Sequence, residues 1–95
     1  MYSSFFCAMD LKELRTEIDA VDAEIVDLLV RRLEVVSRIG AHKKKQGVDL
    51  VDQKREQEVF ANIQRISKEN GLDADFVQEL FEKIIAESCK VQENL

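Results

Sequence analysis

The stretch DLKELRTEIDAVDAEIVDLLVRRLEVVSRIGAHKKKQ, Asp10 to Gln46, is the part of the chain around which the rest is arranged. Within it Leu11, Leu14, Ile18, Val21, Ile25, Leu28, Val35 and Ile39 recur at alternating steps of three and four, the spacing of an apolar stripe on one α-helix. The step after Leu28 lands on Arg32, a permanent cation where the stripe calls for an aliphatic side chain, so Arg32 needs a partner. Asp10 with Glu13 three residues on has the spacing of a capping box. Gly47 supplies the C-terminal stop, and Lys43, Lys44 and Lys45 suit the negative end of the helix dipole.

A helix of this length would extend roughly 55 Å, whereas a compact domain of the same mass is only about 30 Å across. One chain therefore cannot cover it, and a homodimer with paired long helices is the economical arrangement. The remaining sequence predicts two shorter helices. Asp49 or Asp52 can cap the second, which carries Val59, Phe60, Ile63 and Ile66 on its buried side and stops at Asn70-Gly71. Asp73 caps the third, whose stripe of Phe76, Val77, Leu80, Phe81, Ile84 and Ile85 turns polar at Ser88 and Gln92. The expected fold is all-α: a three-helix protomer with one very long N-terminal helix, in an intertwined homodimer. Residues 1–8 stand apart as an N-terminal appendage, either disordered or packed through Phe5 and Phe6, and residues 9–95 form a single helical domain.

Composition agrees and narrows the function. The 95 residues are 45% hydrophobic and 35% charged, with no proline and three glycines, which suits helices and leaves little room for turn-rich β architecture. A net charge of -5 argues against a general nucleic-acid binder, which needs clustered cations for phosphate. Cys7 and Cys89 have neither a CxxC spacing nor a neighbouring histidine, so both read as free thiols in a reducing cytoplasm, with no metal site. No apolar run approaches the ~20 residues of a membrane span and no secretory signal is visible, so the expected location is cytoplasmic.

The polar residues on these faces have ordinary readings when taken singly. Arg15 reads as a surface ion-pair residue, Lys43 as dipole compensation, and Asp52, Arg55 and Glu56 as a cap followed by a charged turn. Ser88 and Gln92 read as a fraying helix end, and His42, beside the lysines, as exposed. Taken together they outline a cation-lined pocket for a small polyanion. Arg32 and Lys43 are eleven residues apart, which puts them on one face at a rise of roughly 16 Å. Arg15 lies seventeen residues before Arg32, about 26 Å away along the helix, so if it serves a site it serves the partner's. No tuned histidine, cysteine or carboxylate pair is offered for acid-base or nucleophilic catalysis. Arginine suits the alternative, because its planar fork binds carboxylate in bidentate fashion.

The order and spacing of Arg15, Arg32, Lys43, Asp52, Arg55, Glu56, Ser88 and Gln92, with the phrases LRTEIDAVDAEIVDLLVRR and GLDADFVQELFEKIIAES, resemble the all-helical chorismate mutases of the shikimate pathway, from about Met9 to Gln92. The resemblance implies an intertwined dimer that rearranges chorismate to prephenate by a [3,3] Claisen shift, in phenylalanine and tyrosine biosynthesis, without covalent catalysis, cofactor or metal. It implies that Arg32 and the partner's Arg15 grip the two substrate carboxylates, with Arg55 and Ser88 assisting. Lys43 and Gln92 would donate to the ether oxygen, and Glu56 with the backbone near Asp52 would hold the ring hydroxyl. The alternatives are an isochorismate-pyruvate lyase on the same fold, disfavoured because both Asp52 and Glu56 are present, and a non-catalytic helical dimerisation or regulatory module.

Overall fold

The computed structural model describes residues 10–95, so the expectations for residues 1–8 and for Cys7 fall outside the described residues. Three helices follow in order: α1 (Leu11–Gln46), α2 (Gln53–Glu69) and α3 (Ala74–Glu93). Their ends lie where the capping chemistry puts them. Asp10 Oδ1 accepts from the Glu13 amide at 2.8 Å, Asp52 Oδ1 from the Arg55 amide at 3.0 Å, and Asp73 Oδ1 from the Asp75 amide at 3.0 Å. Of the two caps open for the second helix, Asp52 is therefore the one used.

The two stops share one geometry. At the end of α1 the Val48 amide reaches back to Lys43 O (2.9 Å) and the Gly47 amide to Lys44 O (3.2 Å); at the end of α2, Leu72 reaches Ser67 O (2.8 Å) and Gly71 reaches Lys68 O (3.3 Å). This paired pattern needs a left-handed residue, and Gly47 and Gly71 both supply it at φ 71°.

The chain divides into two compact units, meeting in sequence between Arg32 and Leu33 within the continuous helix α1. The first holds the N-terminal part of α1. Its apolar side chains are largely uncovered: Ile18, Val21, Ile25 and Leu28 are exposed, Ile25 at 51% and Leu28 at 57%, and so are Leu29 beside them and Val26 and Val30 on other sides of the helix. A helix segment apolar on several sides belongs in an interior.

The second unit, Leu33 to Leu95, packs α2 antiparallel against α3 around Ile63, Ser67, Val77 and Ser88, with Gln64 Nε2 donating to Gln78 Oε1 at 2.9 Å. Here the expected faces need correction. On α1 the stripe read from periodicity continues through Val35 and Ile39, yet both are exposed, and the buried residues are Val36 and Gly40, one position further on. A shift of one residue is a rotation of about 100°, so the helix packs on its own chain with a different face from the one its apolar spacing advertises. Ile66, Phe76 and Leu80, expected in the core, are likewise exposed, while the polar Ser67 is buried and donates to Ile63 O at 2.6 Å. Among the described residues no helix is long and apolar enough to cross a membrane.

Candidate active site

The second unit gathers four of the anticipated residues, Lys43, Glu56, Ser88 and Gln92, where the C-terminal ends of α1 and α3 meet the start of α2. Two contacts define this end of the bundle. α3 comes close to α1 at Gly40: a Cβ placed there would lie 3.0 Å from Gln92 Cγ, 3.5 Å from Gln92 Cβ and 2.5 Å from Leu95 Cδ1. Lys44 Nζ also donates to the Leu95 carbonyl. α3 touches α2 through Cys89, whose Sγ lies 4.0 Å from Glu56 Oε1, a long thiol-to-carboxylate hydrogen bond.

Lys43 stands one turn beyond Gly40 on α1, half-buried, with Nζ donating to Leu50 O at 3.0 Å. That bond ties the cation to the α1–α2 connection. Gln92 is half-buried on α3, and its Oε1 is fully enclosed with no hydrogen-bond partner among the described residues. A buried acceptor left unsatisfied costs about 1–3 kcal/mol, and what this oxygen lacks is a hydrogen-bond donor. The amide can turn to present either its oxygen or its N–H donors to a ligand. Ser88, one turn before Gln92, is buried and donates to Ile84 O at 2.9 Å. Glu56 is half-buried on the first turn of α2, four residues after Asp52, while Asp52 is exposed and acts as the cap.

The other three expected residues are placed differently. Arg55 is exposed and pairs with Glu58 at 3.3 Å, an interaction of little energetic weight on an open surface. Arg15 is exposed on α1 in the first unit. Arg32, the last residue of that unit, is half-buried, and desolvation lowers its pKa below the ordinary arginine value. The guanidinium remains a cation at neutral pH.

An open depression of about 710 Å³ adjoins the α1–α2 connection, lined by Asp49, Leu50, Val51, Asp52, Gln53 and Glu93. Its three carboxylates would repel an anion, and neither Lys43 nor Gln92 lines it. No three His, Cys, Asp or Glu residues cluster as metal ligands among the described residues.

Sequence reasoning passed over two residues that shape this end of the bundle. Gly40 is signalled by its type alone, a glycine inside a long helix where it is intrinsically costly. Cys89 carries no such signal, because its contact with Glu56 spans 33 residues and exists only once α2 and α3 are paired.

Comparison with known proteins follows the same outline. A family model described as chorismate mutase type II matches residues 14–93. The chain is 34% identical over 83 residues to a 4-amino-4-deoxychorismate mutase of Streptomyces pristinaespiralis, covering 87% of this chain and 64% of that one. It is 26% identical over 82 residues to a chorismate mutase of Methanocaldococcus jannaschii, covering 86% and 83%. Over 60 residues it is 45% identical to a bifunctional chorismate mutase/prephenate dehydratase of Aquifex aeolicus, covering 63% of this chain and 17% of that protein. The matched region is thus most of the archaeal relative, about two-thirds of the Streptomyces one and a small part of the bifunctional one.

Proposed function

The chain belongs to the chorismate mutase type II family, and from that premise we propose that it converts chorismate to prephenate in a homodimer whose two sites are each completed by the partner's Arg15. The observation that carries this reading is that Gln92, with its enclosed and unpartnered amide oxygen, comes against α1 at Gly40, one turn before the half-buried cation Lys43. A [3,3] rearrangement breaks one C–O bond as it makes one C–C bond, with no nucleophile and no proton transfer. It needs a reactive conformer held in place and donors aimed at the ether oxygen, where negative charge grows. Lys43 and Gln92 are such donors, and turning the Gln92 amide directs its N–H toward that oxygen. Arg32 and the partner's Arg15 take the two carboxylates, Arg55 and Ser88 assist, and Glu56 with the backbone near Asp52 holds the ring hydroxyl.

Three features support the dimer. The first unit's apolar side chains are uncovered in the single chain, and one segment is apolar on several sides. Arg15 lies too far along α1 from Arg32 to serve the same small molecule within one chain. Charge along α1 is also segregated: Asp10 to Asp27 carries seven carboxylates against Lys12 and Arg15, whereas Leu28 to Gln46 carries six lysines and arginines against Glu34. Two copies laid antiparallel would set the acidic half of each against the basic half of the other.

A second substrate is favoured by the Streptomyces relatives, both named 4-amino-4-deoxychorismate mutase. Its amine would meet Glu56 where the hydroxyl of chorismate would. Incubating the pure protein separately with chorismate, 4-amino-4-deoxychorismate and isochorismate decides among the readings. Prephenate from chorismate is the expected result. Turnover of the amino compound alone would reassign the substrate, pyruvate release from isochorismate without prephenate would make the chain a lyase, and no turnover at all would leave a helical interaction module.

A further inference from the structure

We infer that Gly40 is a positioning residue for Gln92, a role that rests on the chorismate mutase reading of the site. Helix propensity alone favours alanine at this point of α1, since glycine is the costliest ordinary residue in a helix interior. The surroundings oppose it. Gly40 is buried, and its missing side chain leaves room for the Gln92 methylenes, which a Cβ would meet at 3.0 and 3.5 Å. The nearer contact, to Leu95 Cδ1 at 2.5 Å, involves the tip of a flexible side chain and can be relieved by a rotamer change.

The contact to Gln92 Cγ is harder to relieve, because that atom is two bonds from the α3 backbone and is bonded directly to the amide carbon. Moving Cγ moves the donor. Gly40 therefore sets where the Gln92 amide stands relative to Lys43, which lies one turn further along α1, about 4.5 Å by helical rise. The contact at 3.0 Å asks Cγ to give by a few tenths of an ångström, a fraction of the ~1 Å misplacement of a reacting group that can cost on the order of 100-fold in rate. A methyl group at Gly40 should accordingly slow the chemical step while leaving the carboxylate anchors alone.

The experiment is a double-mutant cycle of Gly40→Ala with Gln92→Ala, measured as kcat and KM on chorismate, with Gly40→Ala/Leu95→Ala alongside. Expected is a loss of kcat of about three- to tenfold in Gly40→Ala with KM nearly unchanged, the signature of an interaction made only in the transition state. Removing the Leu95 side chain should not restore the rate. In the Gln92→Ala background the same methyl should cost less than about twofold, because the donor it displaces is already gone. Wild-type kcat in Gly40→Ala, recovery on adding Leu95→Ala, or the full loss repeated in the Gln92→Ala background would each overturn the inference.

Should Gly40→Ala fail to fold, Gln92→Ala must restore folding by removing Cγ, and failure of the double variant would also overturn it. A wild-type protein inert toward chorismate would defeat the functional reading separately. The Gly40–Gln92 contact would then be read from thermal midpoints, lowered by Gly40→Ala in the parent and not in the Gln92→Ala background.

Discussion

Lys43 and Gln92 would fail in different ways when altered, because one brings a charge and the other a neutral donor. Replacing either by alanine removes a preorganised donor, and each change is expected to lower kcat by roughly 100- to 1000-fold with the helical circular dichroism intact. Unchanged kinetics in both would refute the assignment. Gln92 also makes a pH prediction, since an amide does not titrate: activity should stay level through neutral pH. In Gln92→Glu the replacement donates only when protonated, so its rate should rise as pH falls, and a profile parallel to wild type would argue against donation from this position. Arg32 does not shape that profile: desolvation lowers its pKa, but a guanidinium stays protonated across this range. The residue types of the site were legible in the sequence, as polar side chains interrupting apolar stripes. The bond from Lys43 to Leu50 O and the stranded Gln92 oxygen were not, since both depend on backbone traced elsewhere in the fold.

The helices themselves were readable because their ends are written in local chemistry. Asp10, Asp52 and Asp73 each cap by a bond reaching only two or three residues ahead, and Gly47 and Gly71 each stop a helix by adopting a conformation that other residues resist. Such contacts need no tertiary partner. Asp73→Ala should therefore cost about 1 kcal/mol of stability, seen as a lower denaturant midpoint with an unchanged slope. Gly71→Ala, forced to a positive φ with nothing within 4 Å of its Cβ, should cost about 1–2 kcal/mol purely through backbone strain. The faces of the helices were less legible. Periodicity marked Val35 and Ile39 on α1, but the chain buries Val36 and Gly40 against its own helices. Two apolar faces a third of a turn apart produce overlapping spacings, and the wider one dominates the pattern.

At the scale of the whole molecule the proposed sharing of Arg15 between two copies makes a sharp prediction. Neither Arg15→Ala nor Arg32→Ala should be well active alone, yet mixed and refolded together they should regain activity. Each heterodimer then holds about one intact site, with Arg32 from one chain and Arg15 from the other, and no recovery would argue against the exchange. Sedimentation should find two copies per particle, and raised salt should weaken association if the segregated charges of α1 set the antiparallel alignment. By itself the sequence determined three helices and, apart from the choice between Asp49 and Asp52 as the second cap, their boundaries, because caps, glycine stops and apolar periods act over a few residues and need no distant contact. Only the tertiary structure decided which face of α1 meets its own chain, that α3 comes close at Gly40, and that Cys89 reaches Glu56. Those outcomes depend on residues dozens of positions apart being brought within a few ångströms, and no local spacing encodes that distance.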